Sequence, residues 1–156
     1  MEIQDLEFLR MTFGIARKAH NNGNHPFGAL LVDETGRILL EAENTVVTSR
    51  DITGHAETNL IRAASQIYDQ DFLATCTLYA STEPCPMCAG AIFWSNIRKV
   101  VFGLSEEGLY SMVDEGSDDA LILSCQTLLS HGRKKIDVIG PLLEVEAREV
   151  HQGFWS

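Results

Sequence analysis

The sequence predicts an α/β fold, a three-layer α/β/α sandwich around a five-stranded mixed sheet. Short apolar runs of strand length alternate with longer segments of helical spacing, an order that calls for crossovers and parallel neighbours. "GALLV" and "RILLEAE" flank the turn-prone "DETG", which marks a hairpin and an antiparallel edge. No repeat or Pro/Gly/Ser-rich linker interrupts the 156 residues, so 1–156 is expected to form one domain.

Leu6, Leu9, Phe13, Ala16 and Ala19 fall at helical spacing over residues 5–20, and "NNGNHP" ends that helix. After the hairpin, His55 to Tyr68 is helical, with Leu60, Ile61, Ala64 and Ile67 as its inner face. "CTLYAS" is a short strand. "CPMCAGAIFWS" is a helix that starts near its prolines, and "KVVFG" is a buried strand. A further helix is expected around residues 118–130, then the strand "KIDVIG". A closing helix over 141–155 would have Pro141 at its first position.

The formal net charge of -10 disfavours broad binding to phosphate backbones. The tightest basic cluster, Arg133-Lys134-Lys135, reads as a solvated turn. "MEIQDLEFLR" carries acids ahead of its apolar residues, the wrong order for a secretory signal, and no apolar run approaches bilayer length. A cytoplasmic protein without membrane association is expected. Its cysteines (Cys76, Cys85, Cys88 and Cys125) should be reduced thiols rather than a disulfide framework.

Two of them form Cys85-x-x-Cys88, a spacing shared by redox pairs and zinc sites. On a helix they lie on one face and can reach one ion. Two thiolates need a third ligand, and His55, which also begins a helix after a strand, is the best candidate. His55 and Glu57 do not share a helix face. Both reach one site only if His55 sits at the helix edge, which leaves Glu57 to contact a metal-bound water. A lone His-x-Glu is usually incidental, and a lone Cys-x-x-Cys is weak. In order, with one strand between them and each opening a helix, they match the H-x-E…P-C-x-x-C pattern of zinc deaminases. A structural zinc would need a fourth protein ligand. Cys76 and Cys125 are available for that, but each reads as a small core residue.

"HPFGALLV", "EAENTV", "GHAETNLIRAA", "TLYASTEPCPMCAGAI" and "KVVFG" together resemble the cytidine/deoxycytidylate deaminase-like superfamily. The likeness is to its branch of bacterial guanine deaminases, tRNA adenosine deaminases and fungal cytosine deaminase. It runs from the first helix to "VVFG" and more loosely to the end. The resemblance implies a cytidine deaminase-like fold and one catalytic Zn²⁺ held by His55, Cys85 and Cys88. It implies hydrolytic deamination through zinc-bound hydroxide, with Glu57 carrying the protons, and also a homodimer.

Asn44 matches the asparagine with which the family holds its substrate; otherwise it is a turn asparagine. Phe27 and Trp94 resemble the guanine deaminase branch, where tRNA enzymes have a smaller aliphatic residue and a histidine. Core packing is the other reading of Phe27. Phe154 and Trp155 match C-terminal aromatics that close the pocket in guanine and cytosine deaminases, or else they simply pack the last helix. The segment 104–120, "LSEEGLYSMVDEGSDDA", holds six acids and no base, and most of them read as a solvated loop. Asp114 is the acid chosen to accept hydrogen bonds from guanine's N–H groups.

The expected function is therefore deamination of a free nucleobase, guanine first. Cytosine, related amino-purines or amino-triazines, and free nucleosides stay open as substrates. A tRNA adenosine deaminase is the runner-up, opposed by the acidity, Phe27, Trp94 and the aromatic tail. A noncatalytic zinc module would have no use for Glu57, and a thiol redox protein would leave its Cys pair open to alkylation. A small-molecule substrate is expected rather than a nucleic acid.

Overall fold

The computed structural model describes residues 3–113 and 116–155. The elements run α1 (Ile3–Asn21), β1 (Gly28–Val32), β2 (Ile38–Glu43), α2 (Val46–Ser49), α3 (Ala56–Ile67), α4 (Gln70–Leu73) and β3 (Thr77–Thr82). They continue with α5 (Pro86–Ser95), β4 (Lys99–Leu104), α6 (Glu106–Tyr110), α7 (Cys125–Ser130), β5 (Asp137–Ile139) and α8 (Glu144–Glu149). The sheet order is β2-β1-β3-β4-β5. The β1–β2 and β1–β3 pairs are antiparallel, while β3–β4 and β4–β5 are parallel, so the sheet is mixed.

The two-residue period of the central strands makes the three layers. Ala29, Leu31, Leu78, Ala80, Val100 and Phe102 face Leu60, Ile61 and Ala64 of α3 and Ile92 of α5. Leu30, Val32, Tyr79 and Val101 face Leu9, Phe13 and Ala16 of α1 and Ala147 of α8. Both faces of these strands are covered, which is why they read as continuous apolar runs. At Gly28 a Cβ would meet Thr12 O at 2.6 Å and Ala16 N at 2.8 Å, so only glycine lets α1 lie this close to β1.

Three sequence expectations are corrected. Ile67 ends α3 and is 60% exposed, while the inner face runs Ala56, Glu57, Leu60, Ile61 and Ala64. The helix expected over 118–130 is only α7, Cys125–Ser130, and the short α6 forms earlier, at Glu106–Tyr110. Ser105 accepts from Gly108 N–H and Ser124 from Thr127 N–H, and each cap starts its own short helix. The closing helix is shorter and begins at Glu144; Pro141 lies ahead of it, after a cis Gly140–Pro141 bond. The short α2 and α4 rest on side-chain caps. Asn24 Oδ1 accepts from the N–H groups of Val47 and Thr48, and Asp69 accepts from Phe72 N–H. Among the described residues, no helix is long and apolar enough to cross a membrane.

Candidate active site

The residue before a helix points its side chain away from the helical ladder, and two such positions meet here. His55 is the N-cap of α3 and Cys85 the N-cap of α5. Both are extended, and neither spends its side chain on a capping bond. Pro86 occupies the first turn of α5, where a missing N–H costs nothing. One turn on, Cys88 is fully buried. His55 Nδ1 lies 3.5 Å from Cys85 Sγ and 3.4 Å from Cys88 Sγ. The three ligand atoms all fall within 4.8 Å of one another. A tetrahedral zinc with ordinary bond lengths separates a nitrogen from a sulfur by about 3.5 Å, so this donor set fits that ion.

The electrostatics fit it too. A hydrogen bond from Cys88 and another from His55 bring the Cys85 thiol down to about 4, whereas the bond to Cys85 and burial push Cys88 up. The pair carries one negative charge readily and a second only beside a cation. The hydrogen bond to Cys85 raises His55. Glu57, 7% exposed, is the second residue of α3 and stands outside the three-ligand group. Burial, with the Cys85 charge behind it, raises its carboxyl to about 7. In the sequence, Cys76 and Cys125 remained possible extra ligands; both are buried, and neither joins the group.

His55, Glu57 and Cys85 open into a cavity of about 990 Å³, walled with them by His25, Phe27, Val46, Ile52, Thr82, Glu83, Met87 and Trp155 on the scaffold side. Leu109, Tyr110, Val113 and Ser117–Leu121 wall it on the other. Phe27 and Trp155 stand 6.2 Å apart with rings inclined at 52°.

Asn44 is buried, with Oδ1 accepting from Val46 N–H. It supports the wall through Val46 and is not itself part of it. Phe154 is also set back, packed edge-on against His20, His25 and Trp155. Trp94 is corrected outright: it is 74% exposed and away from the cavity. The inner face of α5 is Cys88, Ala89, Ile92 and Ser95, and Trp94 lies off it beside Phe93 and Lys134. Asp114 lies outside the described residues.

Sequence reasoning missed His25, the 117–121 wall and His151. His25 is two residues before Phe27 in a tight turn, Phe27 N–H donating to His25 O at 2.9 Å, and both line the cavity. His151 precedes Trp155 by four residues. Its Nδ1 accepts from the Trp155 indole N–H at 3.1 Å. Indole only donates, so the His151 proton sits on Nε2, which faces Thr82 Oγ1 at 3.3 Å. This latch ties the aromatic tail to the end of β3 within one chain.

Burial lowers His151 to about 4, so it is neutral in the fold and binds a proton when unfolded below its ordinary 6.5. The unfolded state then holds more protons, and stability falls as pH drops from about 6.5 to 4, by up to about 3 kcal/mol. Urea midpoints at pH 7.5 and 4.5 check this. His151→Gln should lose less between the two than the parent, and an equal loss contradicts the assignment.

Residues 2–104 match the family described as the cytidine and deoxycytidylate deaminase zinc-binding region. The chain is 40% identical to a probable cytosine deaminase of Schizosaccharomyces pombe over 154 residues, covering 98% of this chain and 93% of the relative. It is 35% identical to the guanine deaminase of Bacillus subtilis, covering 79% and 85%. A solved tRNA:A34 deaminase structure superposes with a TM-score of 0.71 at 28% identity, covering 93% of this chain and 99% of that one. The matched region holds all three metal-site residues and Glu57, and the fold agrees across the sheet. The chain therefore belongs to the cytidine and deoxycytidylate deaminase family, zinc-binding hydrolases of the C–N bonds of nucleobases and nucleosides.

Proposed function

We propose that this chain deaminates a free nucleobase, guanine first, with Glu57 as proton carrier and His55, Cys85 and Cys88 as zinc ligands. The observation that carries the reading is Glu57, a buried carboxyl raised to about 7 on the wall of the cavity beside the metal group. A buried carboxyl raised towards neutrality can take a proton from water and return it to a base. When bound, zinc supplies a water whose pKa is lowered towards about 7. Glu57 would take one proton from the attacking water and deliver it to the ring nitrogen, then take the second from the hydroxyl now bonded to the ring carbon and pass it to the amine, which leaves as ammonia as the carbonyl forms. Phe27 and Trp155 offer flat apolar faces to the ring.

Three features support a free base. Trp155, fastened by His151, walls the cavity with a flat apolar ring that suits a bare base. The rim carries Asp118 and Asp119, which repel phosphate and accept hydrogen bonds from guanine's amine and ring N–H groups. These two acids take the part the sequence reading gave to Asp114. The cavity is wide enough for a purine. The similarity to a probable cytosine deaminase makes cytosine the comparator.

The test is an ammonia-release panel of guanine, cytosine, adenine, their nucleosides and amino-triazines. Guanine is expected to give the highest kcat/KM. A higher value for cytosine would move the assignment to pyrimidines, and no release from any member would refute it. Asp119→Asn should narrow the preference for guanine over cytosine. The likeness to a tRNA:A34 deaminase favours a second reading, for which deamination of an adenosine in an RNA hairpin, weakening with salt, is the mark.

A further inference from the structure

Glu83 stands two residues before Cys85, and its own N–H donates to Leu104 O at 2.7 Å, which holds its backbone to the end of β4. Its carboxylate reaches the first residues of two separate helices. Oε1 accepts from Glu106 N–H at 2.8 Å, at the start of α6. Oε2 accepts from Cys125 N–H at 2.8 Å, at the start of α7. Between those points runs the segment that walls the cavity through Tyr110, Val113 and Ser117–Leu121. Two further bonds close it: Glu106 Oε1 accepts from Leu123 N–H at 3.1 Å, and Tyr110 Oη from Leu121 N–H at 3.3 Å.

We propose that Glu83 is a positioning residue that clasps both ends of this segment to the metal-ligand loop and so sets where the outer wall of the base site stands. The inference rests on reading the cavity as the substrate site. Two backbone donors arriving from different helices need two acceptor oxygens, and only a carboxylate presents both. Glutamine would turn an N–H towards one of them. Glu106 extends the clasp, so a chain of two carboxylates holds the wall at both ends. Leu121, Ile122 and Leu123 are all exposed, as expected of a segment held by its ends.

The experiment uses the zinc-loaded full chain, with Glu83→Gln and Glu106→Ala. Backbone amide exchange is followed at Glu106, Leu123 and Cys125, with β4 amides as the internal reference, and kinetics are measured on guanine and on cytosine. For Glu83→Gln we expect zinc content unchanged and protection at Glu106 and Cys125 down about tenfold or more. KM should rise about tenfold, with a smaller fall in kcat. Glu106→Ala should release Leu123 and raise KM less. Unchanged protection in Glu83→Gln overturns the proposal, as does a fall in kcat at constant KM, which would place the effect on the metal loop. If Glu83→Gln does not fold, Glu106→Ala decides by the same two readouts. If the unaltered enzyme turns over neither base, the free-base reading fails, and amide exchange alone decides the clasp.

Discussion

Glu57→Gln is expected to lower kcat about 10²–10⁴-fold, the range a positioned proton carrier contributes, while bound zinc stays unchanged. Glutamine has nearly the shape of glutamate and stands outside the three-ligand group, so the metal site should survive. What it loses is the proton. The parent carboxyl is raised to about 7 because burial disfavours its charged form and the Cys85 charge adds to that. An amide in that pocket can donate and accept hydrogen bonds but cannot carry a proton between two partners. Single-turnover ammonia release, with zinc measured by elemental analysis on the same sample, checks this. Near-normal turnover with full zinc would remove Glu57 from the mechanism.

Cys88→Ala is expected to abolish zinc retention and reduce turnover to background. Cys88 is fully buried, and its Sγ is 3.4 Å from His55 Nδ1. Without it the site keeps one thiolate and one imidazole, too few donors for a tetrahedral site with one open position. The fold should nevertheless persist, because the layers on both sides of the sheet close over apolar side chains without help from the metal. Zinc should therefore stabilise the parent by mass action, by about 4 kcal/mol at a thousandfold excess over Kd, and leave Cys88→Ala unmoved. Urea midpoints of both proteins with zinc and with chelator measure the difference. A variant that still gains stability from zinc and still turns over would disprove the ligand role.

The central elements were legible because their signals are local. Leu30 and Leu31 alternate between the two cores, and Leu9, Phe13 and Ala16 repeat at the helical period, so sequence spacing reports directly on the face that is buried. His55 and Cys85 could be paired on paper because each is the residue just before a helix, and Pro86 marks one of those starts. The region after β4 was harder. Its helices are only a turn or so long, and they are set by Ser105, Ser124 and the Glu83 carboxylate rather than by a periodic apolar stripe.

By itself the sequence determined the order of strands and principal helices, the zinc-ligand types, and the carboxyl beside them. Each of these depends on residues within a turn of helix or a few steps of strand. Only the tertiary structure decided what surrounds the base. Helix rotation put Trp94 outside, although it shares α5 with Cys88. A side-chain bond across four residues turned Trp155 inwards, while Phe154 was set behind it. Glu83 reached two chain segments far along the sequence. Contacts of that kind depend on where separate elements pack, and no periodicity in a single stretch of chain records it.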